Sequence, residues 1–311
     1  MIKLARNIFL LAIIVIMALV TMVILTPADP NNYFAAAKDK HHMLYEIKSP
    51  RIILVGGSNV AFSIDGQRLE RSVQMPVINT GLHVGLGLRF MLDEVRAALK
   101  DGDIVILFLE YELFFDSLDG NPKFLGTAVK SCPECMLSAD SPHQIFNFGI
   151  GLLQTMEGEL TRNIRNDSTT NLIYSRQSFD SHGDMVRQLE YIRVSDFRKR
   201  LVLPANINDL LLRSPAIELL NSFSESCRAS NARVFLMFPG IFVRDFNSQE
   251  EKFTDLYRAL KEKLEIPILG QPQDFIYPYR MFYDSFYHLN HEGRNLHTNR
   301  IIQLLDLALE N

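Results

Sequence analysis

Residues 51–55, 104–109 and 233–238 each contain an unbroken apolar run: Ile-Ile-Leu-Val, Ile-Val-Ile-Leu-Phe-Leu and Val-Phe-Leu-Met-Phe. None alternates apolar with polar, so each predicts a strand buried on both faces rather than one with a wet side. Shorter runs at 75–79 and 266–269 predict two more strands. Between the strands the period changes. Leu88, Leu92, Val95 and Leu99 recur at helical spacing across 88–99. Residues 215–230, 248–264 and 294–309 read as further helices, the last with Asn290 placed to cap it, and a short helix is expected over 63–70. Strands alternating with helices predict an α/β protein built on a parallel, doubly wound sheet.

Two stretches depart from this rhythm. Residues 114–212 hold an amphipathic segment at 144–164 and polar turns at 165–168 and 180–184. They read as a mostly helical insertion covering one edge of the sheet, where binding residues often lie. Residues 8–25 carry no charge, and Thr21 is their only polar side chain. As a helix they span about 27 Å, close to a bilayer core. Lys3 and Arg6 precede the run and no basic residue follows before Lys38. This predicts a single-pass inner-membrane anchor over 8–26, with a cytoplasmic tail (1–7) and an extracytoplasmic, periplasmic linker (27–48) and domain (49–311). The run is longer than the ~7–15-residue core of a signal peptide, so an uncleaved anchor is expected over a cleaved one.

Composition adds limits. With 311 residues, 47% of them hydrophobic, the chain can bury the core of one large α/β domain with an insertion. A net charge of -4 offers no basic footprint, which argues against nucleic acid as a partner. Cys132 and Cys135 form a CxxC pair, with Cys227 the third cysteine. A structural zinc site needs about four ligands, and no second pair exists. A redox motif would open a helix after a strand, whereas this pair lies in a loop-like stretch. The pair therefore reads as a local disulfide or as two inert thiols. His41-His42 falls in the linker without an acidic ligand cluster, so no metal and no cofactor are expected.

The candidate chemistry begins where the first strand ends, at Gly56-Gly57-Ser58-Asn59. Open parallel sheets carry their sites at the carboxyl edge, and two glycines followed by serine hold a hydroxyl there. A serine hydroxyl is almost fully protonated at neutral pH and needs a base. Asp284 and His288 lie four residues apart in a loop before the last helix. The carboxylate would orient the imidazole, and the imidazole would take the Ser58 proton.

The order Ser…Asp…His, with acid and base so close together, resembles the SGNH/GDSL hydrolase superfamily. Gly56-Gly57-Ser58-Asn59 is similar to its first block, Asn79-Thr80-Gly81 to its second, and Asp284-x-x-x-His288 to its last. The resemblance implies a flavodoxin-like three-layer parallel sheet and a Ser58/His288/Asp284 triad. It also implies an oxyanion hole made from the backbone N–H groups of Ser58 and Gly81. The third block departs from the family. Where it places an Asn whose side chain donates to the oxyanion, this chain reads Leu109-Glu110-Tyr111-Glu112. Asn59, Glu110 and Glu112 are kept as substrate-contacting candidates, with a structural role as the simpler reading of the two glutamates. More narrowly, the chain resembles membrane-anchored extracytoplasmic SGNH-like proteins of polymer acylation. That implies a serine esterase or O-acyltransferase acting on acyl esters of envelope carbohydrate or polymer, with a membrane-bound acyltransferase as a partner. The alternative is a catalytically degenerate scaffold that binds polysaccharide or an assembly partner.

Overall fold

Four of the apolar runs lie side by side as β1 (Ile52–Gly56), β2 (Val77–Asn79), β3 (Ile104–Phe108) and β4 (Arg233–Met237). They form one parallel sheet in the order β2-β1-β3-β4. The architecture comes from a computed structural model that describes residues 2–115, 118–165, 171–191, 200–212 and 214–310. β1 and β3 are buried at every position, as the missing alternation requires. The fifth expected strand shrinks to a single bridge, Leu236 to Ile268, on the outer side of β4. Pro267 accepts from Leu236 N but has no N–H to extend the ladder. A separate two-stranded parallel pair joins β5 (Ile241–Phe242) to β6 (Ile276–Tyr277).

The register fixes what meets at the carboxyl edge. Gly56 pairs with Phe108 across β1 and β3, and Leu54 pairs with Asn79 across β1 and β2. Two residues past each pair, the chain delivers Ser58, Glu110 and Gly81 to the same end of the sheet.

The apolar amino-terminal run is the carboxyl-terminal part of helix α1 (Ile2–Leu25). Among the described residues, no helix is long and apolar enough to cross a membrane. This overturns the single-pass anchor, and with it the expected inner-membrane location, cytoplasmic tail and periplasmic domain. The end of the helix is also tied to the rest of the chain by polar groups. The Lys130 ammonium donates to the Val23 carbonyl, and Arg162 pairs with Asp29 at 2.6 Å.

Nor are residues 27–48 a linker. Tyr33 is buried, and α2 (Ala36–Glu46) buries Ala36, Lys40 and Leu44, one stripe at four-residue spacing. The Tyr33 hydroxyl donates to Leu82 O at 2.6 Å. The Lys40 ammonium donates to Asn79 O and Gly183 O at 2.9 and 2.6 Å. Burial pushes Lys40 down to about 7. Arg51, wholly buried, donates to Leu44 O, Ile47 O and Ala98 O and pairs with Asp103 at 3.3 Å. One side chain thus satisfies the carbonyls at the ends of two helices beneath the sheet.

The remaining helices follow the sequence pattern with small shifts. α3 (Ser58–Ser63) and α4 (Gly66–Val73) replace the single helix expected over 63–70, and α5 (Leu88–Ala98) matches its period. The insertion contains α6 (Pro122–Ser131), packed on α7 (Pro142–Arg165), and α8 (Ile207–Leu212). Positions 166–168 of the expected polar turn lie outside the described residues. α9 (Pro215–Ala229), α10 (Val243–Asn247), α11 (Glu250–Lys263) and α12 (His291–Leu309) complete the chain. Asn290 caps α12 as expected, accepting from Gly293 N at 3.1 Å.

The insertion is locked to the sheet by a buried carboxylate. Asp184 accepts from Gly66 N (2.6 Å), Asn79 Nδ2 (2.7 Å) and Arg294 Nη2 (2.8 Å). These partners come from α4, β2 and α12. The turn that presents Asp184 is itself held by Asp180, which accepts from His182 N and Asp184 N.

Candidate active site

Ser58 is the first residue of α3, with Gly57 at the cap position. Asn59 fixes this turn to the neighbouring strand by donating its side-chain amide to Phe108 O at 2.8 Å. That bond uses Asn59 for structure and faces it away from a substrate role. The second glycine of the pair has a steric cause. A Cβ at Gly57 would lie 2.0 Å from Glu110 Oε2, so the Glu110 carboxyl rests directly on the backbone before the serine. Gly81 approaches as closely from the other side: a Cβ there would meet Gly57 O at 2.8 Å.

Asp284 and His288 form the expected pair. His288 Nδ1 lies 2.7 Å from Asp284 Oδ1, and both side chains are largely buried. Their loop is closed by a bridge between Phe282 and Leu289 and by Tyr283 N donating to His288 O at 2.7 Å. It is fastened to α3 through Ser63, whose hydroxyl donates to Tyr287 O and accepts from Leu289 N. The His288 ring stacks on Phe62, with centroids 3.8 Å apart and planes 7° from parallel. Phe62 is four residues after Ser58 on the same helix, hence on the same face. The imidazole and the hydroxyl therefore share one side of α3. With Nδ1–H given to the carboxylate, Nε2 is the acceptor of the neutral ring.

Three other side chains complete the setting, and none was singled out by sequence. The Tyr174 hydroxyl, supplied by the insertion, donates to Asp284 Oδ2 at 2.6 Å. Tyr33 packs its ring against that of Tyr174, with centroids 5.7 Å apart, and donates its hydroxyl to Leu82 O. Tyr287 donates to Glu112 at 2.6 Å and accepts from Tyr111 N at 2.9 Å, joining that loop to the segment after β3. Phe62 alone had a legible signal, its spacing from Ser58. His83 sits close enough for the charge of His288 to act on it. Burial, aided by His288, pushes it down to about 4, so it is neutral and accepts from Gly85 N.

Two expectations about the oxyanion hole need correction. The Gly81 amide, expected to face an oxyanion, donates to Asn79 Oδ1 at 2.9 Å. The Asn79 amide nitrogen is committed to Val60 O and Asp184, which turns its oxygen toward Gly81. The Ser58 amide acts on the Glu110 carboxyl instead of facing an open space. The hydroxyl is redirected as well. Ser58 Oγ donates to Glu110 Oε1 at 3.3 Å, and among the described residues no hydrogen bond joins it to His288. Asn59 N points at the same oxygen, also at 3.3 Å. Glu110 is buried, and burial together with the Glu112 charge pushes its carboxyl up to about 8 against the hydrogen bonds it accepts.

For metal ions, the chain brings His41, Cys132 and Cys135 together with donor atoms within 4.8 Å of one another. The two sulfurs are joined as a disulfide, which leaves neither as a thiolate ligand. His41 instead holds Glu94 at 2.7 Å, and that hydrogen bond raises its pKa. The acidic neighbour that the sequence did not place beside His41 thus comes from α5. No family model, no curated protein and no solved structure matches the chain.

Proposed function

We propose that the chain is a serine esterase or O-acyltransferase of the SGNH type. The observation that carries this reading is the Asp284–His288 pair at 2.7 Å, stacked on Phe62 one helical turn from Ser58. The strand order β2-β1-β3-β4, with a further bridge outside β4, agrees with a flavodoxin-like doubly wound sheet and supports the same reading. In this mechanism the Ser58 hydroxyl rotates from Glu110 toward His288 when an ester enters. Its oxygen attacks the acyl carbon as His288 Nε2 takes the proton. The carbonyl π bond breaks to give an oxyanion, which collapses to the acyl-enzyme as His288 returns the proton to the leaving alcohol. Asp284, held by Tyr174, keeps the imidazole in one tautomer and stabilises its cation. Water or a hydroxyl-bearing acceptor then discharges the acyl group by the same steps in reverse. The ground for an envelope polymer as acceptor falls with the membrane anchor, so the acceptor class is left at alcohol or water.

A second reading, a non-catalytic scaffold, is favoured by the engaged state of the site: Ser58 Oγ on Glu110 and Gly81 N on Asn79. A serine-directed fluorophosphonate probe separates the two. Wild type is expected to label at one residue and Ser58→Ala not at all, with both giving the same circular dichroism. Equal labelling of the two proteins, or none in either, would favour the scaffold.

A further inference from the structure

We propose that Cys132, Cys135 and His41 form a metal site that opens when the Cys132–Cys135 disulfide is reduced, and that it then holds one zinc-class divalent cation through two thiolates and an imidazole. The site does not depend on the serine-hydrolase reading.

Three elements bring the donors together. Cys132 ends α6, and Cys135 follows on a one-turn 3-10 helix, Pro133–Met136, whose fold is closed by Cys135 N donating to Cys132 O at 3.1 Å. His41 comes from α2, and its ligand atom lies within 4.8 Å of both sulfurs. Both cysteines are buried. The imidazole is held on two sides. Tyr45, one turn along α2, packs on it with ring centroids 4.7 Å apart. Its Nδ1 is 2.7 Å from Glu94 Oε2 on α5. The Ser138 hydroxyl, three residues past Cys135, donates to the other oxygen of Glu94. A histidine that gives one ring N–H to a fixed carboxylate presents its other nitrogen as a metal ligand, the outer arrangement that zinc-binding histidines commonly have. A disulfide that only staples the turn has no use for an imidazole held in this way.

The donor set selects the ion. Two sulfurs at C-x-x-C spacing and one histidine nitrogen suit zinc, and offer little to calcium or magnesium, which take oxygen. A tetrahedral site with bonds of about 2.0–2.3 Å sets its donors about 3.5–3.8 Å apart. The imidazole needs to approach by about 1 Å while the freed sulfurs part. A cavity of about 40 Å³, bordered by His41, Glu94 and Cys135, has room for a water as the fourth ligand. The carboxylates of Glu94 and Glu134, the latter between the two cysteines, put negative charge around the ion. Opening the site is a two-electron step. A dithiol reductant breaks the S–S bond, is oxidised to its own disulfide, and leaves its two protons on the two sulfurs. The cation then takes both sulfurs as thiolates, and those protons pass to solvent.

The test is zinc binding by the whole protein without oxygen, read by competition with a chromophoric chelator. The pair is compared oxidised and after reduction by dithiothreitol that is then removed, its state checked by thiol alkylation and mass spectrometry. Reduced wild type is expected to bind one zinc with a Kd below about 1 µM, and the disulfide form at least about a hundredfold more weakly. Glu94→Gln should weaken binding by about 10–100-fold and His41→Gln by more, with circular dichroism unchanged in both. X-ray absorption of zinc-loaded wild type needs no variant and should show two sulfurs at about 2.3 Å with nitrogen at about 2.0 Å. A reduced protein with a Kd above about 1 µM, a disulfide form that binds as tightly, or a metal shell without sulfur overturns the proposal. So does a folded His41→Gln protein that binds within about threefold of wild type, or a pair that stays oxidised in the folded chain under excess dithiothreitol.

Discussion

Replacing His288 by alanine is expected to lower the rate of fluorophosphonate labelling at Ser58 by about 10²–10⁴-fold, the range supplied by a positioned general base. In the proposed mechanism the imidazole is the group through which the pair acts. Asp284 reaches the reaction through His288 Nδ1, at 2.7 Å, and Tyr174 reaches it through Asp284. Removing the ring removes all three contributions together, so Asp284→Ala in the same background should add little. His288 also covers Phe62, so alanine leaves a gap there. A second variant, His288→Gln, fills more of the space without supplying a base. Both variants should lose labelling while retaining near-wild-type circular dichroism. A His288→Gln protein that labels within about threefold of wild type would remove His288 from the mechanism.

The largest expected effect on stability lies away from the reaction. Asp184→Ala is expected to cost about 3–5 kcal/mol, because it breaks a buried ion pair and leaves the other charge unmatched. Arg294 is 4% exposed, and Asp184 is its carboxylate partner. The same change strips Gly66 N and Asn79 Nδ2 of an acceptor. Asp184→Asn keeps the shape and one acceptor oxygen and should cost less, which urea unfolding of the two variants would read. A loss below about 1 kcal/mol for Asp184→Ala would mean that the insertion is held elsewhere. Asn79 also gives its side-chain oxygen to Gly81 N, so a rotated Asn79 in this variant would release that amide beside the serine turn.

Glu110 should leave a mark on stability too. Its folded pKa, about 8, is raised from an ordinary value of 4.5 by burial. Between those values the folded chain holds a proton that the unfolded chain has lost. The contribution is therefore full below about 4.5 and declines as pH rises toward about 8, and Glu110→Gln should abolish that slope. Urea midpoints taken at intervals across that window, in both proteins, would measure it.

The strands were legible because burial on both faces leaves no room for polar alternation. Ile52 to Val55 and Ile104 to Leu109 announce themselves for that reason. The Asp284 and His288 spacing was legible because a loop of four residues can bring the two side chains together with little help from the rest of the fold. Other features depended on contacts that no local pattern encodes. The stripe of α2 was hidden by Lys40, a charged residue whose ammonium is satisfied only by two carbonyls distant in sequence. Tyr174 sits in an insertion with no period to mark it. The Gly81 amide was expected to be available, but its engagement follows from the orientation of Asn79, which Asp184 determines from about a hundred residues away. The apolar run of residues 8–25 showed the opposite failure, a strong local signal with no membrane-crossing helix among the described residues.

Arg51 shows where the folding unit begins. Two of its carbonyl partners, Leu44 O and Ile47 O, lie in the segment that composition would assign to a tether. A fragment starting at residue 49 would keep the guanidinium in the core and discard both acceptors. It would also lose the Tyr33 phenol, which holds Leu82 O, and the Lys40 ammonium, which holds Asn79 O at the end of β2. Cut at that point, the sheet would keep all four strands and the three residues of the proposed triad, but lose the hydrogen bonds that this segment makes with them and with Arg51.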